Sequence, residues 1–296
     1  MSIEHILAPF HTSCESAWIA VDMAEHFRRQ GLMPALWSVD TPHPALAEYG
    51  INLIRPYQGK VPANGRLTVV GTEVIIGSWY DSSRFETVTL FNHQFSPSGF
   101  NRIMHRLTSQ CIHPVALQYT NAQLKYKTGL PGSIVELPLN AERIFKTSTE
   151  DRTDNTRGRT RFTLGRITAD DLMHHHPGDV GLYRNLAAAG IRIKILGGNS
   201  LKPWLVGIEN IQLLAYELNQ IGEFLPGLDC IYFNTPPTQV EGPSQAMAAA
   251  MYMKLPIFAY AGGGYAALIR KYEQGVLFKN QDEAFDSIMR LLRTDN

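Results

Sequence analysis

"EGPSQAMAAAMYMKLPIFAYAGGG", residues 241–264, sets a lone carboxylate ahead of an Ala- and Met-rich run, a short apolar segment and three glycines. Pro243 suits the first position of a helix, where no N–H is needed. The residues after it predict a helix to about Met253. Lys254 is favourable at its C-terminal end, and Pro256 stops it. "PIFAYA" (256–261) predicts a buried strand, and Gly262, Gly263 and Gly264 open a second helix over "YAALIRKYEQG" (265–275). Each half therefore delivers a helix N-terminus through a loop. Such ends offer free N–H groups and partial positive charge, which favour phosphate. Glycine lets a backbone approach closely, and Glu241 can accept hydrogen bonds from sugar hydroxyls. A phosphate-linked sugar satisfies both halves.

The same rhythm extends outward. Upstream lie "FTLGRI" (162–167), a strand, "PGDVGLYRNLAAAG" (177–190), a helix, and "IRIKILGG" (191–198), a strand ending in two glycines. "IQLLAYEL" (211–218) and "FLPGLDCIYFN" (224–234) precede the opening stretch; "GVLF" (275–278) and "DEAFDSIMRLL" (282–292) follow it. Nearer the start, strands are predicted at 5–10, 32–39, 51–57, 66–71, 85–91, 113–119 and 132–140, with helices at 16–30 and 96–110. Thr12, Ser13 and Ser16 are candidate helix caps. "KTSTEDRTDNTRGRTR" (146–161) has no apolar residue and predicts an exposed linker. The expectation is an α/β protein of two Rossmann-like domains facing a cleft, 1–145 and 162–296. Open α/β sheets bind ligands at the carboxyl ends of their strands.

The segment 162–278 resembles the donor domain of retaining GT-B glycosyltransferases of the group 1 type. The residues that carry the likeness are Glu241, Gly242, Ala250, Met251, Leu255, Pro256, Gly262 and Gly263, with Gly165-Arg166 and the Gly197-Gly198 turn upstream. The resemblance implies a nucleoside diphosphate sugar as donor and a saccharide or other small molecule as acceptor. It implies that Gly165, Arg166, Gly197, Gly198, Gly242, Pro243, Ser244 and the triple glycine hold the donor. Glu241 would orient the sugar, and His93, at the end of a strand of the first domain, would face it. His11, Thr12 and Ser13, in the first loop, fall on the acceptor side. No cofactor or metal ion is implied. The chain departs from the pattern in three places. Ala249 stands where a second Glu is usual, and Asp171 stands near where a Lys is usual, with Lys202 as a substitute. "HTSCES" (11–16) replaces a glycine-rich loop. These departures leave a non-catalytic nucleotide- or sugar-binding relative as the alternative.

Other classes fare less well. Lys plus Arg and Asp plus Glu both number 27, so the formal charge is zero and no basic excess favours nucleic acid. Three scattered cysteines, Cys14, Cys111 and Cys230, fit a reducing, cytoplasmic setting. No apolar run reaches the about 18 residues of a membrane span. Arg102, His105 and Arg106 share one helix face, which leaves peripheral membrane contact open. Gly262-x-Gly264-x-x-Ala267 imitates a dinucleotide fingerprint, but too little chain follows for the rest of such a domain. His174, His175 and His176 suggest a metal; consecutive side chains cannot all point one way, and no ligand-spaced carboxylate or Cys surrounds them.

Overall fold

The computed structural model describes residues 3–11, 14–94, 96–109, 112–136, 139–146, 161–216, 220–236, 242 and 244–294. The chain divides into two compact units, Met1–Leu139 and Asn140–Asn296.

The first unit is built on seven parallel strands: β1 (Glu4–Leu7), β2 (Pro34–Ser38), β3 (Asn52–Leu53), β4 (Asn64–Val70), β5 (Arg84–Asn92), β6 (Val115–Tyr119) and β7 (Ser133–Ile134). They lie in the order β3-β2-β1-β4-β5-β6-β7. Three helices of this unit are α1 (Glu15–Arg29), α2 (Pro97–Thr108) and α3 (Ala122–Thr128). Buried Ala17, Ile19, Ala20 and Val21 of α1 pack with Ile6, Leu36 and Val70 of the sheet. β3 is shorter than the apolar run 51–57 because Pro56, lacking an N–H, opens a 3-10 turn there. Ser16 is not a cap. It is the second residue of α1 and is buried, and α1 has no side-chain cap; Thr12 and Ser13 lie outside the described residues. α3 is an element the periodicity did not predict. Asn121 Oδ1 accepts from Leu124 N at 2.9 Å at its start, and Gly129 ends it with φ +66°.

The second unit repeats the winding with six parallel strands: β8 (Thr163–Ile167), β9 (Arg192–Leu196), β10 (Ile211–Leu214), β11 (Cys230–Phe233), β12 (Ile257–Tyr260) and β13 (Val276–Phe278). Their order is β10-β9-β8-β11-β12-β13. The helices are α4 (Ala141–Lys146), α5 (Asp179–Ala188), α6 (Lys202–Leu205), α7 (Ile221–Phe224), α8 (Gln245–Tyr252), α9 (Ala266–Tyr272) and α10 (Gln281–Thr294). No helix is predicted at α4, and the expected bound of 1–145 puts most of its residues in the first domain, whereas the second compact unit begins at Asn140. α4 packs against α7 and α8, and Gly222 of α7 lies so close to the Ile144 carbonyl that a Cβ would sit 2.3 Å from it. Residues 147–160 of the expected linker lie outside the described residues. α8 carries no polar face because Ala246, Met247, Ala249 and Ala250 are all buried. Leu182, Leu186, Ile193, Ile195, Tyr232, Phe258, Phe278 and Ile288 centre the core. No described helix is long and apolar enough to cross a membrane.

In each sheet the winding reverses beside its first strand, at β1/β4 and at β8/β11. Ligands of open α/β sheets bind outside the carboxyl ends at such points.

Candidate functional site

The carboxyl ends of β8, β9 and β11 in the second unit meet around a buried ionic centre. Arg166, on the central strand β8, is 2% exposed. Its guanidinium donates to the carbonyls of Asn234 at 3.0 Å, His174 at 3.2 Å and Tyr232 at 3.5 Å, and lies over the Phe233 ring. Asp179, at the start of α5, is fully buried and accepts from Asn234 Nδ2 at 2.7 Å and Tyr232 OH at 2.8 Å. Burial pushes the Asp179 carboxyl up, against the pull of Arg166, Asn234 and Tyr232. Arg166 thus ties the end of β11 to the loop 172–177 from below. This differs from the expected contact with a donor diphosphate, and the reason is local: β8 is buried along its whole length and Arg166 with it. Gly165 beside it is a packing glycine. Leu228 fills the space, and a Cβ would lie 2.1 Å from its Cδ1.

The loops above this centre are joined by hydrogen bonds. Gly197 takes φ +88°, and its backbone passes so close to Thr168 that a Cβ would stand 1.8 Å from the Thr168 carbonyl oxygen. The N–H groups of Gly197 and Gly198 both donate to Leu214 O, at 2.9 and 3.0 Å. The turn therefore contributes closeness rather than free donors. Asp170 accepts from Asn199 N at 2.7 Å, Asn199 Nδ2 at 3.1 Å and Tyr216 N at 3.0 Å, joining the loops after β8, β9 and β10. Sequence reasoning gave Asp170 no role, since nothing local reveals partners 29 and 46 residues away. Asp171 caps the 3-10 turn at Leu172, accepting from Met173 N at 3.0 Å. Lys202 is exposed at the start of α6.

A pocket of about 510 Å3 opens among these loops, lined by Leu172, Met173, His175, His176, Trp204 and Pro236, with Val180 and Leu201 behind. That is within the roughly 300–1,000 Å3 of small-molecule sites. His175 is 4% exposed, and its Nε2 is 3.1 Å from Gly197 O. Burial, and secondarily Arg166, hold its imidazole down to about 4, so it is neutral near pH 7.

On the other side of β11, Ser244 Oγ accepts from Met247 N at 3.2 Å and caps α8; Gly242 is buried. Glu241 and Pro243 lie outside the described residues. Ala249 is fully buried, so the position of the usual second carboxylate is a packing position here. Among the glycines after β12, Gly262 is exposed, Gly263 N donates to Tyr260 O at 2.9 Å, and Gly264 is buried. α9 begins two residues beyond them, at Ala266. Tyr265 fastens this loop to β11 by a short hydrogen bond with Thr235 and by packing on Phe233.

In the first unit, His93 follows β5 and is 2% exposed. Ser16 Oγ lies 3.4 Å from His93 Nε2 and 3.4 Å from Glu73 Oε2, and Gln94 Nε2 donates to Glu73 Oε1 at 2.5 Å. The structure thus gathers Ser16, Glu73, His93 and Gln94 at the β1/β4 switch point. Glu73 escaped the sequence reading although it follows the turn at Gly71. His11 is separate and exposed, 3.8 Å from Asp40. Arg102 and His105 are exposed on α2 and Arg106 is half-buried, and both arginines also make hydrogen bonds within the unit. Arg102 donates to Thr72 O at 3.1 Å, and Arg106 to Asp81 at 2.7 Å and to the carbonyls of Ile76 and Gly77. Among the described residues no three His, Cys, Asp or Glu side chains are grouped to hold a metal ion.

No family model matches the chain, and no curated protein sequence does. Solved structures do resemble it in fold. A glycosyltransferase from Rickettsia africae aligns over 98% of this chain and 88% of its own, with a TM-score of 0.67 at 12% identity. HepE from Anabaena, solved in complex with UDP and glucose, aligns over 99% and 90%, with a TM-score of 0.68 at 11% identity. WaaG, a glycosyltransferase involved in lipopolysaccharide biosynthesis, aligns over 98% and 90%, with a TM-score of 0.64 at 11% identity. The fold is the two-domain α/β fold of the GT-B class.

Proposed function

We propose that the chain is a glycosyltransferase that moves a sugar from a nucleoside diphosphate sugar to a saccharide or other small acceptor, with retention and without a metal ion. The observation that carries this is the pocket at the β8/β11 switch point, in a fold whose solved neighbours include an enzyme bound to UDP and glucose. The donor's nucleotide sits over the second unit. Lys202, the α8 N-terminus behind Gly242, Pro243 and Ser244, and the loop of Gly262, Gly263 and Gly264 face its diphosphate. Charge that grows on the leaving diphosphate is met by these fixed dipoles and the Lys202 ammonium. Arg166 works at second hand, by fixing the loop 172–177. Glu241 orients the sugar through its hydroxyls. His93, held by Ser16, hydrogen-bonds the sugar from the first unit, where His11, Thr12 and Ser13 meet the acceptor.

Thermal shift with UDP, GDP, ADP, dTDP and CMP, beside NAD and NADP, tests the donor class. A nucleoside diphosphate at 100 times its dissociation constant adds about 2.7 kcal/mol, a rise of several degrees that Lys202→Ala should reduce. A response to NAD alone would refute a sugar-nucleotide site. Glu241→Gln should leave melting unchanged and slow transfer about tenfold or more, roughly 1.4 kcal/mol of transition-state stabilisation. Wild-type turnover in that variant would remove Glu241 from the site.

A further inference from the structure

The edge of the first sheet carries a pair of cations that the proposed chemistry does not use. From Tyr49 to Thr72 the sequence has Arg55, Lys60 and Arg66 and no Asp or Glu, in a chain of zero formal charge. Arg66 is committed to Glu4, 3.2 Å away. Arg55 and Lys60 instead close a short hairpin beyond β3. Arg55 N donates to Lys60 O at 2.7 Å, and Lys60 N donates to Arg55 O at 3.1 Å. The 3-10 turn Pro56–Gln58 and Gly59, with φ +67°, connect them. Residues directly opposite in an antiparallel pair put their side chains on the same face, where like charges repel. Both cations are exposed, and neither has a carboxylate partner among the described residues. A bound anion would relieve that repulsion. The pair borders a pocket of about 400 Å3, whose other walls are Trp37 of β2 and Ile51, Asn52 and Leu53 at β3. The Trp37 indole is half-buried, and its Nε1–H donates to His5 Nδ1 at 2.9 Å. An indole nitrogen only donates, so the His5 proton is on Nε2, which donates to Asn64 O at 2.8 Å. With its N–H engaged, Trp37 offers the pocket carbon and π-surface alone. Asn52 Nδ2 donates to Leu36 O at 3.1 Å, which leaves its Oδ1 to accept from a ligand.

We propose that this pocket binds an acidic pyranose, a sugar ring bearing a carboxylate. Trp37 packs against the C–H face of the ring, Arg55 and Lys60 hold the carboxylate by charge-assisted hydrogen bonds, and Asn52 Oδ1 accepts from a hydroxyl. β3 is the edge strand and stands two strands from β1, so the pocket is apart from the β1/β4 switch point. It holds a saccharide without reacting with it. The assignment goes beyond the transfer reaction and stands without it. The chemistry selects among ligands. A neutral sugar leaves the two cations facing each other, and a bare inorganic anion makes no use of the wall of Trp37, Ile51 and Leu53. A nucleic acid is met by many cations along its backbone, whereas here there are two, beside one indole.

The test uses the full chain and ligand-observed NMR titration. The probes are methyl glucuronide for a single acidic ring, trigalacturonate for the same chemistry within a polymer, methyl glucoside, inorganic phosphate and a single-stranded RNA hexamer. The variants are Arg55→Ala, Lys60→Ala, Lys60→Arg and Trp37→Leu, each verified as folded by its melting curve; the hairpin variants decide the matter even where Trp37→Leu does not fold. The expected result is that an acidic saccharide binds the wild type and methyl glucoside does not. Arg55→Ala and Lys60→Ala should each weaken that binding at least about fivefold, the scale of one charge-assisted hydrogen bond, while Lys60→Arg stays within about twofold. Binding should also weaken as salt is raised. Nucleoside diphosphates should bind the hairpin variants and the wild type alike, so the donor site in the second unit is judged separately. Equal binding of methyl glucoside and methyl glucuronide overturns the assignment, as does acidic-saccharide binding that is unchanged in Arg55→Ala and Lys60→Ala. Inorganic phosphate that binds as tightly as the saccharides and is lost in the same variants makes the pocket a bare anion site and overturns it. RNA that binds more tightly than trigalacturonate and is lost in those variants makes it a nucleic-acid contact and overturns it. Absence of binding by both acidic saccharides also overturns it.

Discussion

Burying the Arg166 guanidinium costs several kcal/mol of lost hydration. The carbonyls of Tyr232, His174 and Asn234, with the Asp179 carboxyl nearby, offset that cost. Arg166→Ala removes the cation and leaves those groups buried. It should lower unfolding free energy by about 3–5 kcal/mol, the usual result of removing one side of a buried ionic arrangement. A change under about 1 kcal/mol in urea denaturation would mean that the guanidinium is solvated and free for a ligand. His175 gives a pH signature. Its folded value of about 4 lies below the ordinary 6.5. Between those values the unfolded chain binds more protons, so stability rises with pH. The contribution is fully present above pH 6.5 and is lost as pH falls through 4. The stability difference between pH 7 and pH 4.5 should be about 2 kcal/mol smaller in His175→Asn than in the wild type. Equal differences would show that His175 is already protonated at pH 4.5 in the folded protein.

The loop after β9 is limited by space, and glycine positions make this measurable. Gly190 and Gly197 share nearly the same backbone, φ +89° and +88°, but nothing lies within 4 Å of a Cβ at Gly190, while Thr168 O stands 1.8 Å from one at Gly197. Gly190→Ala should cost about 1 kcal/mol, the strain of a side chain at positive φ. Gly197→Ala should cost distinctly more and weaken nucleotide binding, because the β8 and β9 loops must part. Equal costs in denaturation would show that the close approach is not obligatory. Elements of this kind were only partly legible in the sequence. β8, β9, β12, α1 and α10 follow from apolar runs and helical spacing, since both are local properties. α3 was missed because its signals are an Asn cap and a terminal glycine around a mostly polar segment. α4 is short, and its place depends on α7 and α8, far along the chain. In the same way Arg166 and the Gly197-Gly198 turn were found, but not how they are used. The direction of a side chain, and a carbonyl that takes two amides, depend on neighbours that sequence spacing does not reveal.

The two units wind identically, with the strand order turning at β1/β4 and at β8/β11. Each places its polar groups at the carboxyl ends there. The first gathers Ser16, Glu73 and His93, and the second the Asp170-linked loops and the pocket. That much of the whole-molecule reading was available from the alternation of strands and helices, since doubly wound sheets have few topologies. Asp170 is already satisfied by three N–H donors, so the acidic pair Asp170-Asp171 is committed to structure. Donor turnover should therefore continue in EDTA. As a glycosyltransferase, the function proposed above, the chain would cleave the bond between sugar and diphosphate. The most direct measurement is NMR of the full chain incubated with UDP-, GDP-, ADP- and dTDP-sugars, with and without EDTA. The phosphorus spectrum reports release of nucleoside diphosphate, and the proton spectrum reports the anomer of the sugar set free or transferred. One donor is expected to release its nucleoside diphosphate, unaffected by EDTA, with the anomeric configuration kept in the first product formed. An intact donor in every incubation, beside one that binds, would contradict it and make the chain a sugar-nucleotide binder.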